Sequence, residues 1–173
     1  MKFKKIICWP PLLGGIGAGV TITILAYITF QSILAGTSYG LWLAASFGSS
    51  VVVVFGYPDN EFAQPKNVLF GHLLCALIGI IFVTVFKISQ DRTIFFLAIG
   101  LAVGIAVMLM MALKITHPPA GGNTIVVMLT QDSFQFLIFP IMVGAITIII
   151  GGVIYNRYIL RKKYPLKWFK KNF

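Results

Sequence analysis

Apolar runs of two lengths alternate along this chain. Four long ones cover residues 12–34, 67–86, 93–113 and 134–155. Each is about 20 residues, the length an α-helix needs to cross a hydrocarbon core of roughly 30 Å. Between the first and second lies a shorter run, within SFGSSVVVVFGY (residues 46–57). Between the third and fourth lies another, within THPPAGGNTIVVMLTQD (residues 116–132). The apolar parts of these two, from Gly48 and from Ala120, are about 10 residues, half of a crossing. The pattern predicts an all-α integral membrane protein: four long transmembrane helices and two short broken or re-entrant half-helices, ordered long–short–long twice.

The two short runs also match in detail. GSSVVVVFG (residues 48–56) aligns with GNTIVVMLT (residues 122–130) at an offset of 74, each with a glycine and two small polar residues before branched apolar ones. An internal duplication follows from the shared opening and the shared position between long runs. Repeat one covers about residues 12–86 and repeat two about 93–155, in a single membrane domain of residues 1–173 with a basic tail at 156–173. Short, Gly/Pro-interrupted segments at corresponding positions point to a transporter binding site. Unpaired backbone groups survive at membrane depth only inside protein or against a wet cavity. Helices starting at Gly48-Ser49-Ser50 and at Gly121-Gly122-Asn123-Thr124 would aim two positive ends at one place, which suits a small anion.

Composition agrees. Hydrophobic residues make up 58% and charged residues 10%, with a mean hydropathy of +0.94. A soluble domain carries roughly 25% charged residues, so most of this surface faces lipid. The net charge of +10 is concentrated at Lys2, Lys4 and Lys5 and in the tail from Arg157 to Lys171. Mixed with Tyr155, Tyr158, Tyr164 and Trp168, these cations fit a cytoplasmic headgroup layer, with contact to acidic lipids, and not a nucleic-acid surface. Both termini are expected in the cytoplasm, in a bacterial-type inner membrane or a plastid membrane. Charge leaves the number of crossings open. Four crossings put Lys66 and Lys114 on the minority side, and six put Lys87 and Arg92 there, which would make the repeats inverted. The run at residues 12–30 is too long for a secretory signal. Cys8 and Cys75 form no disulfide framework or metal site, and no cofactor is expected.

Candidate solute-binding residues are Ser46, Gly48, Ser49, Ser50, His117, Gly121, Gly122, Asn123 and Thr124. The hydroxyls and the amide offer neutral donors beside helix ends, which hold an anion without trapping it. His117 either meets the solute and carries a proton or pins the break through backbone carbonyls. Pro118 and Pro119 shape the break, since they fix φ and lack N–H groups. His72 either faces the same cavity or is an interfacial histidine bonded to a loop, the second being preferred. Lys66 and Lys114 are accessory candidates at the mouth. The GxxxG at Gly15 and Gly19 suits helix packing, within the chain or in a homodimer.

ASFGSSVVVVFG, PDNEFAQPKNV, GHLLCALIG and THPPAGGNT together resemble the HPP family of integral membrane proteins, over nearly the whole chain. Members in cyanobacteria and plant plastids are associated with nitrite transport. The resemblance therefore implies a secondary transporter or channel for a small inorganic anion, nitrite or nitrate first. Gly122-Asn123 departs from the smaller apolar residues expected after the signature. No nucleotide-binding motif, HExxH or Ser-Lys pair is present, and all four acidic residues fall in loops, so no enzyme activity is expected. The alternatives are a non-transporting membrane subunit or scaffold and, behind it, an intramembrane enzyme.

Overall fold

A computed structural model describes residues 9–34, 43–88, 90 and 94–166. The N-terminal lysines with Cys8, the turn after the first span, Asp91 and Arg92, and the tail beyond residue 166 lie outside the described residues.

The described chain is helical, and four of its helices are long and apolar enough to cross a membrane. α1 is Trp9–Leu34, α2 Leu43–Gly56, α3 Pro65–Thr84, α4 Phe95–Ala112 and α5 Gly121–Thr130. α6, Val143–Val153, continues at both ends in π-helical turns, so its apolar stretch runs Leu137–Ile159. Short 3₁₀ turns, Glu61–Ala63 and Pro118–Ala120, precede α3 and α5. Pro65 starts α3, where its missing N–H costs nothing. Outward positions are apolar: Ile16, Val20 and Ile24 on α1, Phe96, Leu101 and Met108 on α4, Ile146, Ile150 and Ile154 on α6. The buried set includes Ser50, His72, His117, Asn123, Thr124 and Asn156. Apolar outside and polar within is the arrangement that lipid selects.

Named contacts fix the direction of every helix. Gly14 lies against Tyr155 and the Phe55 carbonyl, while Thr21 lies against Gly151, so α1 runs antiparallel to α2 and α6. Phe47 fits against Gly144, and Val54 against Gly152, so α2 runs parallel to α6. Asn156 Nδ2 ties the far ends of that pair by donating to the Val54 and Gly152 carbonyls. α5 runs parallel to α3, with Ala120 near Gly71 and Val127 against Gly79. α4 runs antiparallel to α3, since Cys75 meets Met110 and Gly71 meets the Ile115 carbonyl. The six helices therefore alternate in direction. Tyr164 Oη donates to the Ala63 carbonyl (2.7 Å) and Gln64 Oε1 accepts from Leu166 N–H (2.8 Å), so the end of α6 returns to the start of α3.

α5 is only ten residues long, but its arm is longer than the helix. At one end Asn67 Nδ2, in the first turn of α3, donates to the Thr116 carbonyl (2.9 Å). At the other, Gln90 beyond the C-terminus of α3 bonds the Leu129 carbonyl. Residues 116–130 thus reach along the whole of α3.

The packing repeats. Gly71 and Ala120 on α3 and its approach to α5 correspond to Gly144 and Phe47 on α6 and α2. Gly79 and Val127 correspond to Gly152 and Val54. Each of these residues is 73 positions from its counterpart, one residue from the offset that the sequence alignment suggested. Exchanging the two halves also turns each major helix pairing into another: α1–α2 into α4–α5, α2–α6 into α5–α3, and α1–α6 into α4–α3.

Candidate functional site

The structure brings four of the sequence candidates into one buried cluster. Ser50, His72 and His117 have no exposed surface, and Asn123 has 2%. Ser50 comes from the middle of α2, His72 from the second turn of α3, and Asn123 from the first turn of α5. His117 sits on the extended residue before the two prolines, at φ −135° and ψ 97°. A residue preceding proline is pushed out of the helical region, and this turns the His117 side chain inward beside α3.

Ser50 Oγ is the hub. It lies 2.8 Å from His72 Nε2, 2.9 Å from His117 Nε2 and 2.9 Å from the Ser46 carbonyl. His117 Nδ1 is 2.8 Å from the Phe62 carbonyl, which can only accept, so this nitrogen carries a proton. Asn123 Nδ2 is 2.7 Å from His72 Nδ1 and 3.4 Å from the His72 carbonyl. The amide that faces a carbonyl donates, which leaves His72 Nδ1 as acceptor and puts the His72 proton on Nε2. Three directions then follow: Asn123 donates to His72, His72 to Ser50, and His117 to Phe62, while the single Ser50 hydroxyl hydrogen faces both the Ser46 carbonyl and His117 Nε2. The His72 ring is also 4.6 Å from that of Phe47 and 5.1 Å from that of His117.

The other candidates surround this chain or fall outside it. Ser46 is buried, and a Cβ at Gly122 would meet its Oγ at 3.0 Å, so Gly122 permits the approach of α2 to α5. Thr124 Oγ1 donates to the Cys75 carbonyl (2.8 Å), pinning α5 to α3. Ser49 is exposed and donates to the Ser46 carbonyl of its own helix. Gly48 and Gly121 are half-buried, with open space where a Cβ would be. Pro118 and Pro119 form the 3₁₀ turn that leads into α5. Lys66 is half-buried in the first turn of α3, and Lys114 is exposed in a left-handed turn (φ 53°) after α4. Among the described residues, no three His, Cys, Asp or Glu side chains gather as a metal ion would require.

Three readings change. Gly48 does not open a helix: it is the sixth residue of α2, which is already formed at Leu43-Ala44-Ala45. These are good helix formers, and glycine is tolerated inside packed membrane helices. One helix N-terminus, that of α5, therefore points into the cluster instead of two. His72 is not an interfacial histidine bonded to a loop, because both of its ring nitrogens are engaged inside the cluster. Gly15 and Gly19 face outward with nothing within 4 Å, so of their two readings the packing within the chain falls away; Gly14 and Gly17 instead meet Tyr155 and Phe55. Phe62 and Phe47 were not singled out from sequence. A backbone carbonyl leaves no residue-type signature, and Phe47 is one phenylalanine among 15.

Comparison with known proteins settles the family. The HPP transmembrane region matches residues 6–165, and this stretch contains every residue of the cluster. The chain belongs to the HPP family. Two Dictyostelium discoideum proteins, both described only as transmembrane proteins, are similar to it. One is 30% identical over 86% of this chain and 52% of its own length. The other is 29% identical over 75% of this chain and 42% of its own length. The chain thus spans about half the length of the curated relatives it matches. No solved structure matches. As an HPP transmembrane region with four long apolar helices, the protein is integral to a membrane.

Proposed function

We propose that this protein carries a small inorganic anion across the membrane, with nitrite and nitrate the first candidates and without enzymatic chemistry. The observation that carries the reading is the Ser50–His72–His117–Asn123 cluster, a buried, mutually bonded polar centre that holds both histidines of the chain inside an apolar-faced bundle. Polar and ionisable groups at such depth are costly and mark solute or ion paths. The N-terminus of α5 turns the positive end of its dipole toward the cluster, which favours a negative solute. Resemblance to family members associated with nitrite transport gives the solute class. Purified protein in lipid vesicles should pass nitrite faster than chloride or formate, and absence of flux for every small anion would remove the reading.

The path lies within two inverted repeats. Alternating helix directions, the end-to-end reach of residues 116–130 and the 73-residue correspondence support six crossings, with α2 and α5 spanning the membrane and not re-entering. The first and last helices then start and finish on one side, with Lys66 and Lys114. Lys87 and Arg92 fall on the other, and the cation excess makes the tail side cytoplasmic. A cysteine placed at Asp59 or Lys114 should be labelled from the same face as the C-terminal tail, and one at Gln90 from the opposite face. Four crossings would put the Asp59 and Lys114 labels on the face away from the tail.

A further inference from the structure

The cluster is one proton short. Four contacts need a hydrogen between their heavy atoms: Ser50 to Ser46, Ser50 to His72, Ser50 to His117, and His117 to Phe62. A neutral serine and two neutral histidines supply three, since Asn123 provides the hydrogen of its own contact with His72. The His72 proton serves Ser50, and the His117 proton serves Phe62. The single hydroxyl proton of Ser50 is left facing two acceptors, the Ser46 carbonyl and His117 Nε2. One added proton on His117 Nε2 completes the set. His117 then donates to both Phe62 and Ser50, Ser50 accepts from both histidines through its two lone pairs, and its own proton goes to Ser46.

The added proton brings a positive charge, and nothing around the site balances it. α2 offers Ser46, Phe47 and Ser50 to the cluster. α3 offers His72 and, one turn on, Cys75, and α5 offers Asn123. The segment before α3 offers a carbonyl, and its neighbouring Glu61 is exposed; Lys114, after α4, is exposed as well. No carboxylate therefore touches His117 among the described residues, and the positive end of α5 also faces the cluster. A buried cation without a partner is strongly disfavoured. An anion beside the α5 N-terminus removes that objection, so the proton and the anion favour one another.

We propose that transport is proton-coupled: His117 takes up one proton on Nε2 as a small anion enters beside the start of α5, and both are released on the far side. This rests on the transport reading above and adds its energetics. One proton per anion makes the step electroneutral, so the driving force is the pH gradient and not the membrane potential.

The test uses the whole protein in vesicles that contain a pH-sensitive dye, with nitrite outside and protein-free vesicles as the control for passive entry of the undissociated acid. Nitrite added outside should acidify the lumen faster than in the control. Each unit of inward pH gradient should drive about tenfold accumulation at zero potential. His117→Gln keeps a hydrogen-bonding side chain but takes no proton, and its initial rate of lumen acidification above the protein-free control should fall by about tenfold or more. If this variant fails to fold, the wild-type dye measurement still decides. Nitrite flux that carries current, ignores the pH gradient and leaves the lumen unacidified would overturn the coupling while leaving anion transport standing. Absence of any anion flux would instead strike the transport reading itself.

Discussion

His72→Leu should abolish most anion flux and lower the thermal stability of the detergent-solubilised protein. Leucine is close enough in size to fill the space beside Phe47, so the effect is polar and not steric. The substitution removes the partner of Asn123 Nδ2 at 2.7 Å and one of the three partners of Ser50. Each buried group left without a partner costs about 1–3 kcal/mol. The loss reaches three helices, because His72 on α3 is what joins Ser50 on α2 to Asn123 on α5. A solute contact weakened by about 1.4 kcal/mol is already a tenfold effect, so flux should fall by roughly tenfold or more. His72→Gln, which restores one donor and one acceptor, should recover part of it. Wild-type flux in His72→Leu would make the cluster a packing device only.

Gly79→Leu should be the most damaging single change to folding. A Cβ there lands 2.9 Å from the Thr124 carbonyl oxygen and 3.0 Å from Val127 Cβ, and the first of these is backbone that cannot turn aside. The whole of α5 must shift away from α3, taking with it the Thr124–Cys75 and Asn123–His72 contacts. Overpacking of this kind costs about 1–3 kcal/mol before the lost hydrogen bonds are counted. The yield of folded protein and its melting temperature should both drop. Gly19→Leu, on the outward face of α1 with nothing within 4 Å, serves as the control and should leave both unchanged. Equal damage from the two substitutions would mean that close packing of α5 on α3 is not what holds the core together.

Much of the architecture was legible in the sequence because lipid imposes a coarse rule. A crossing needs about 20 apolar residues, and the four long runs mark helices whose ends moved only a few positions, as with α3 at Pro65–Thr84. The short runs were legible too, since Pro118, Pro119 and the polar residues around them stand out against an apolar background. Facing was harder to read. His72 and Ser49 are both polar residues in apolar helices, yet one is central and the other points outward, and only the packing of neighbouring helices decides between them. The start of α2 was misplaced because a glycine followed by two serines signals a helix opening in isolation, while the helix formers at Leu43 to Ala45 had already begun it. The Phe62 and Cys75 carbonyls belong to the backbone, so no residue type announces them.

The short helices have a further consequence for how the chain can move. α5 is fastened to α3 through Thr124, Asn123 and Gly79, and α2 is fastened to α6 through Phe47, Val54 and Asn156. Each short helix is thus bound to a long helix from the opposite half of the sequence. The natural rigid bodies are crossed pairs, α3 with α5 and α2 with α6, so the chain's midpoint is not a hinge between them. Each body is stitched from both halves, and the polar cluster lies on the seam where the two bodies meet.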